Sequence, residues 1–262
     1  MESTVTKPKI DYKDDLRQAA IVGKYEVMKF LSGKKILIFG ILNVLVLGLT
    51  AAILFIFNTD GLTTEDGIVS FISFSSLLML IGATLFSSVT LVSEFEERTS
   101  LMLFTKPIRK SSIFLGKFLA AYFLNMAFVI FYYIVAAIII AIKTGGFTAN
   151  IFPSLGYCAL YIFSLTGIAT LFSALMKKSS SASILTFVFI LLVPSIIEVI
   201  ILAATASGGS IETWYILNDA SNSVINSISG PVANGLRDAF VMIVWGLIPA
   251  LAAYFLFRKR EV

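Results

Sequence analysis

The 262-residue sequence contains no histidine, a single cysteine and few charged residues. Without histidine, the chain lacks the His-based triads, metal sites and proton relays that many enzymes and pumps use. Cys158 alone forms neither an internal disulfide nor a multi-cysteine metal site. Asp, Glu, Lys and Arg make up 14% of the residues, against about 25% in an average soluble domain. This composition offers too little polar surface for a soluble globule and indicates a membrane protein.

Long apolar runs are what the sequence has instead, with 58% hydrophobic residues and a mean hydropathy of +0.93. A helix needs roughly 20 apolar residues to cross a hydrocarbon core of about 30 Å. The runs are long and continuous, which favours helices over the ten-residue alternations of a β-barrel. The predicted fold is an all-α integral membrane domain over 36–262. Its six spans are predicted at 36–57, 68–92, 118–142, 151–176, 184–204 and 239–257.

Basic residues predict the orientation of these spans. Eighteen of the twenty Lys and Arg residues lie in segment 1–35, in the loops after spans two and four, and in the C-terminal tail. Only Lys143 and Arg237 lie on the other side. Because cytoplasmic loops carry the excess of positive charge, we expect both termini in the cytoplasm of a multi-pass cell-membrane protein. The basic net charge is therefore a topology signal, and no nucleic-acid partner is expected.

Two segments outside the spans have sequence patterns that predict their location. Residues 1–35 form a polar tail and an amphipathic helix, for which we favour a position in the membrane interface over an ordinary cytosolic one. The external loop 205–238 holds Trp214 and Tyr215, which suit an interfacial belt, and one option for it is short helices that dip into the outer leaflet. The apolar stripe of the first helix contains Leu16, Ala19, Ala20, Gly23, Val27, Phe30 and Leu31.

Catalytic motifs are missing from the chain. No Gly-x-x-x-x-Gly-Lys-Ser/Thr loop is present to bind phosphate, and no nucleophile, base and oxyanion donors assemble into a recognisable site. Glu198 is the only ionisable residue well inside a predicted span, whereas ion-coupled transporters usually carry several. We therefore expect no catalytic site, no metal site and no cofactor in this chain. Energy for transport would enter from another subunit.

The loop between spans two and three carries the most information. Acidic residues come first, an apolar run at helical spacing follows, and Pro107 stops that helix before a basic cluster. Glu94 and Arg98 are an i, i+4 pair on one helix face. From the residues alone, a solvated loop helix anchored to acidic lipid by its basic end explains the pattern equally well.

This loop resembles the cytoplasmic coupling region of ABC transporter permeases of type 2. Those proteins carry a Glu-rich helix end, a Thr, a Leu-rich stretch, then Thr/Ser-Lys-Pro-Ile, a nearby Arg, and a Gly-Lys pair that opens span three. Here the match runs from Glu94 to Gly116-Lys117. The N-terminal helix, the six spans and the basic tail also fit. Where many members have Pro-Ile-Ser-Arg, this chain has Pro107-Ile108-Arg109-Lys110, which leaves open whether Arg109 or Lys110 takes the family's basic position.

The resemblance implies a permease without an ATPase of its own. A cytosolic ABC ATPase subunit would bind ATP and Mg, and a second permease subunit, either an identical copy or a related paralogue, would complete the pore. The loop helix would be a coupling helix that docks in a groove of the ATPase and acts as a stiff lever on spans two and three. The implied coupling residues are Glu94, Glu96, Glu97, Arg98, Thr99, Lys106, Pro107 and Arg109.

Hydroxyl side chains and one carboxylate are candidates for a substrate pathway. On a regular helical wheel, five hydroxyl residues of span two fall within about 100° of arc, namely Ser70, Ser73, Thr84, Ser87 and Ser88. Helix–helix packing explains such a stripe as well. Glu198 in span five is either a functional contact or a structural hydrogen-bonding partner for a neighbouring Ser or Asn. Asn43 and Asn125 fit packing roles better. The pathway candidates are Ser73, Thr84, Ser87, Ser88 and Glu198.

The leading functional prediction is the membrane subunit of an ATP-driven exporter, and the sequence does not select its cargo. Two alternatives stay open: an ion-coupled carrier or channel, and a non-transporting membrane scaffold that uses ATP-driven motion. Transport by the purified chain alone would favour the carrier. Regulated ATPase activity without any accumulated substrate would favour the scaffold.

Overall fold

The computed structural model describes residues 12–57, 63–96, 109–205 and 212–259. Every regular element in these ranges is helical, as the sequence predicts. Five predicted coupling residues lie outside the described residues, namely Glu97, Arg98, Thr99, Lys106 and Pro107. In chain order the helices are α1 Tyr12–Leu31, α2 Lys34–Phe57, α3 Thr64–Gly82, a π-helix Ala83–Ser87, α4 Val92–Glu96, α5 Lys110–Thr144, α6 Ile151–Leu175, α7 Ser179–Thr205, α8 Leu217–Ser229 and α9 Gly235–Lys259.

Within the described ranges, six helical segments are long and apolar enough to cross a membrane, which confirms the predicted number of spans. They are α2, the segment Thr64–Glu96, α5, α6, α7 and α9. Several extend past the predicted apolar runs, most of all α5, which begins at Lys110 instead of residue 118. Its 35 residues measure about 50 Å, well beyond a hydrocarbon core of about 30 Å. Hydrogen bonding along the helix continues into polar residues, where hydropathy gives no signal.

The spans differ in how deeply they are buried within the chain. In α6, 72% of the apolar window is buried, against 22% in α2 and 17% in α7. Helix α9 lies along α6, and a Cβ atom on Gly167 would meet the Gly246 carbonyl oxygen at 2.2 Å. Small residues of this kind let two membrane helices approach closely. Helix α6 is therefore the centre of the bundle, while α2 and α7 present long apolar faces outward.

Span two is interrupted, a feature that the hydropathy of its residues does not predict. The π-helix Ala83–Ser87 follows α3, a turn covers residues 88–91, and α4 then begins at Val92. Within the break, the Ser88 amide donates to the Ala83 carbonyl at 3.1 Å, an i to i−5 bond. Such π-turns concentrate at functional sites. The predicted stiff connection from span two into the loop thus contains a change of helical register.

A short helix also occupies the predicted loop 205–238. Helix α8 buries its apolar side against α3, α6 and α9, and the Trp245 indole donates to the Tyr215 carbonyl at 2.9 Å. A helix in this segment was one of the options raised by the sequence. Its depth in a bilayer stays a prediction. The buried residues of α8 are Leu217, Ala220, Ser223, Val224, Ser227 and Ile228.

Candidate functional site at the junction of three helices

The first helix, the end of span two and the start of span three meet at one buried lysine. The Lys117 Nζ atom donates to Glu26 Oε2 of α1 at 2.8 Å and to Glu94 Oε1 of α4 at 2.8 Å. It also donates to the Thr90 carbonyl oxygen at 3.1 Å. The exposed fractions of the three charged side chains are 2% for Lys117, 6% for Glu26 and 13% for Glu94. We call this arrangement the Lys117 triad.

The chemistry of the Lys117 triad makes it a strong connection. An ammonium group has three donors and no acceptor, and the three contacts use all of them. Burial strengthens the attraction between the charges, and it also makes the loss of one partner costly, because a buried charge would be left uncompensated. The triad carries one positive and two negative charges. It therefore fixes α1, α4 and α5 to one another at the same point.

Close backbone contact between α1 and α5 brings the charged groups within reach. A Cβ atom on Gly116 would lie 2.4 Å from the Ala19 carbonyl oxygen and 3.1 Å from the Gly23 amide nitrogen. Only glycine fits such an approach. Glu26 follows Gly23 by three residues and so shares its face of α1, while Lys117 directly follows Gly116. The Gly-Lys pair thus supplies both the contact and the charge.

Three predicted coupling residues lie in the described part of the chain, and each contacts a different helix. Glu94 belongs to the Lys117 triad. Glu96 accepts hydrogen bonds from the amide of Ser179, at 2.9 Å, and from its hydroxyl, at the start of α7. Arg109, just before α5, donates through Nη1 to Asp15 Oδ2 of α1 at 2.7 Å. The ends of α1, α4, α5 and α7 are thereby joined around the loop that the sequence singles out.

The predicted stripe of α1 corresponds only in part to the face that packs on α5. Ala19 and Phe30 are buried, whereas Leu16 and Leu31 are more than half exposed. Glu26, which the stripe omitted, lies on the buried face. The remaining exposed apolar residues of α1 suit a helix in the membrane interface, and that position stays a prediction.

Neighbouring helices satisfy the polar groups at the break in span two. The amides of Leu91 and Val92 donate to the Ser173 hydroxyl oxygen of α6 at 3.0 and 3.1 Å. The Thr90 hydroxyl donates to the Ser87 carbonyl at 2.8 Å, and the Thr90 carbonyl accepts from Lys117. Unpaired backbone groups are costly inside a membrane. The break is therefore held by side chains of both α5 and α6.

The predicted hydroxyl stripe does not form one lining within this chain. Ser73 is exposed, whereas Thr84, Ser87 and Ser88 are buried. The π-helix adds one residue to a turn and so rotates everything after it by about 100°, which is why a regular wheel misplaces these residues. Ser88 and Ser183 of α7 share a hydrogen bond of 2.8 Å. A role in transport stays a prediction for all four residues.

Glu198 lies far along the chain from the junction and has a different partner. Both of its carboxylate oxygens accept hydrogen bonds from the Asn218 side-chain amide, at 2.9 and 3.0 Å. Asn218 is in the first turn of α8 and is exposed, while Glu198 is partly buried. The structure thus joins span five to α8 through a carboxylate. It does not bring Glu198 together with Ser73 or with the break.

Several residues of the junction were not among the predicted coupling residues. The sequence contains a feature that could have identified Glu26, because an acidic residue between Gly23 and Phe30 on an apolar helix face requires a polar partner. Lys117 could have been identified as the lysine of the Gly-Lys pair. No sequence feature identifies Ser173, because its role depends on the break in span two. Within the described ranges, no group of three or more Asp, Glu, Cys or His side chains is placed to hold a metal ion.

Comparison with known proteins places the chain in a family. A search of curated proteins finds no match. Residues 58–255 match the family model of the ABC-2 family transporter protein. This region covers the break, α4 and every span except the first, ending at residue 255 within the last helix, α9. The chain therefore belongs to the ABC-2 family of transporter proteins.

Proposed function

We propose that this membrane permease is the export subunit of an ABC transporter and is driven by a separate cytosolic ATPase that binds segment 94–109. ATP and Mg would bind to the ATPase, and this chain would contribute no catalytic group. Membership of the ABC-2 family supports the permease role. The direction of transport, the partner and the binding segment go beyond family membership and are proposed here.

The Lys117 triad is the observation that carries the proposal. A partner that pushes on segment 94–109 acts directly on α4, since Glu94 and Glu96 belong to that helix. Through Lys117, the same push reaches α1 and span three. A buried ion pair resists separation far better than an exposed one. Force applied at one loop is therefore distributed to two spans and to the first helix.

The exposed faces of the bundle support the proposal of a second permease subunit. Helices α2 and α7 are the least buried spans, and α7 carries Glu198 with its exposed partner Asn218. A carboxylate that faces hydrocarbon is costly. Another copy of the chain, or a related paralogue, would cover this polar pair and enclose a pathway between the two subunits.

The cytoplasmic position of the junction rests on charge. Most of the Lys and Arg residues of the chain lie on the junction side of the spans, which is the side that faces the cytoplasm under the positive-inside rule. The proposed location is the cell membrane, with both termini and segment 94–109 in the cytoplasm. This is the compartment in which ATP is available to a soluble ATPase.

Affinity purification of the full chain from its native membrane tests the proposal. We expect an ABC ATPase subunit to co-purify and its ATP hydrolysis to depend on the permease. The double reversal Glu97→Arg with Arg98→Glu should abolish docking or uncouple hydrolysis from transport. Glu65→Arg, at an exposed position at the other end of span two, is the control and should leave both unchanged.

Three results would contradict the proposal. One is a double-reversal variant that still co-purifies with the ATPase and keeps full stimulated hydrolysis. Another is transport by the purified chain without any ATPase, which would favour an ion-coupled carrier or channel. The third is regulated hydrolysis with no accumulated substrate in sealed vesicles, which would favour a non-transporting scaffold.

A further inference from the structure

We infer that residues 83–92 of span two form a joint, and that Lys117 and Ser173 are the positioning residues that hold it. The inference rests on the proposed function for its role in coupling. The joint itself rests on contacts within this chain. By joint we mean the π-helix Ala83–Ser87, the turn 88–91 and the first residue of α4.

The interrupted backbone of the joint receives hydrogen-bonding partners from another helix. In a regular helix each amide donates to the carbonyl four residues earlier. Here the amides of Leu91 and Val92 instead share the Ser173 hydroxyl oxygen, at 3.0 and 3.1 Å. Ser173 is fully buried in α6, the central helix of the bundle. The joint is thus attached to the most deeply buried span.

A second helix, α5, also holds the joint. Lys117 of α5 binds the joint through the Thr90 carbonyl, at 3.1 Å, and binds α4 through Glu94, at 2.8 Å. The same ammonium group holds Glu26 of α1. Side chains of both α5 and α6 therefore bond to the backbone where α4 leaves span two.

The helices before and after the joint are both attached to other parts of the bundle. Before it, α3 is tied to α5 by the Asn125 amide, which donates to the Met79 carbonyl at 3.0 Å, and by the Tyr132 hydroxyl, which donates to the Phe71 carbonyl at 2.9 Å. After it, the attachments of α4 include Glu94 to Lys117, Glu96 to Ser179, the Ser93 hydroxyl, which accepts from Lys29 Nζ at 3.4 Å, and the Phe95 ring, which lies 6.1 Å from the Phe257 ring. Because Lys117 and Ser173 bond to residues 90–92 of the joint, a push on α4 that bends span two there is passed to α5 and α6.

Hydrogen–deuterium exchange of the peptide covering residues 88–96 tests the joint without any ATPase. The purified full chain is measured in lipid nanodiscs as the parent and as the variants Ser173→Ala, Lys117→Met and Thr170→Val. We expect exchange to rise about fivefold or more in the first two, because buried backbone groups lose their partners. Thr170→Val is the matched control, since the Thr170 hydroxyl bonds to Gly167 of its own helix. Unchanged exchange in Ser173→Ala and Lys117→Met would overturn the joint.

A second measurement tests whether the joint transmits movement from the ATPase. It also separates the existence of the joint from the proposed function of the chain. The complex with the ATPase is compared in its nucleotide-free and ATP-bound states. We expect the exchange of residues 88–96 to differ between the states in the parent, and ATP-stimulated coupling to fall about fivefold or more in Ser173→Ala. Full coupling in Ser173→Ala would overturn the positioning role. If the parent captures no ATPase, the proposed function fails, while the exchange result alone still decides whether the joint exists. Ser173→Ala leaves no buried charge unpaired, so it decides the question even where Lys117→Met fails to fold.

Discussion

Replacing Gly116 with alanine should force α1 away from α5. The added Cβ would lie 2.4 Å from the Ala19 carbonyl oxygen and 3.0 Å from Val22 Cβ, and ordinary contact begins at 3.4 Å. Helix α1 must therefore withdraw by about 1 Å to reach normal contact distances. Since Glu26 moves with α1, its 2.8 Å bond to Lys117 would stretch beyond hydrogen-bonding range if the helix moved as a rigid body.

The free energy of unfolding should fall as a result. Overpacking of this kind costs about 1–3 kcal/mol, and alanine regains about 1 kcal/mol through its higher helix propensity. The strained Lys117 triad adds to the cost. We therefore expect a net loss of roughly 1–3 kcal/mol, with a melting temperature several degrees lower. Gly156→Ala in α6 is the matched control, because nothing lies within 4 Å of a Cβ atom there.

Two measurements check this prediction in the same lipid nanodiscs. Thermal unfolding followed by tryptophan fluorescence compares Gly116→Ala and Gly156→Ala with the parent. Maleimide labelling of Ala19→Cys, in a Cys158→Ser background, reports the contact directly, because Ala19 is only 4% exposed. Labelling should be faster when Gly116→Ala is added. A Gly116→Ala chain as stable as Gly156→Ala, with labelling unchanged, would show that the close approach of α1 and α5 is not real.

Two further predictions concern the far side of the bundle and the topology. Glu198→Gln should change transport or substrate-stimulated ATPase activity by roughly fivefold while leaving assembly intact, since one charged acceptor of the Asn218 amide is lost. Unchanged activity would remove Glu198 from the candidate pathway residues. Cysteines at positions 5 and 234, introduced singly into Cys158→Ser, should react with a membrane-impermeant maleimide only from opposite sides of sealed vesicles. Labelling of both from the same side would contradict the predicted orientation.

The number of spans was predictable because each crossing requires a long apolar run. Such a run can be recognised in the sequence without knowing which helices lie beside it. The start of α5 at Lys110 was not, because polar residues continue a helix without any hydropathy signal. The break in span two was missed for a related reason. Residues 83–91 contain neither Pro nor Gly, and the side chains that satisfy the backbone of residues 90–92, Lys117 and Ser173, come from other helices.

The candidate site, like the fold, was predictable from the sequence only in part. Glu94, Glu96 and Arg109 could be singled out because they lie in one segment of the sequence and match a family pattern, and their role in coupling stays a prediction. The Lys117 triad joins residues that are up to 91 positions apart, so pairing could not be read from spacing. Glu26 and Lys117 could be noticed as charged residues among apolar ones. Only the close contact of α1 with α5 shows that each is the other's partner.

Site-specific photo-crosslinking from segment 94–109 tests the central claim most directly. A photoreactive amino acid at Leu101, within the proposed docking segment, should crosslink the permease to an ABC ATPase subunit in native membranes, and the yield should change when ATP is added. The same amino acid at Asn234, on the opposite side, should give no such product. A Leu101 probe that never captures an ATPase, in a chain that still transports its substrate, would contradict the account.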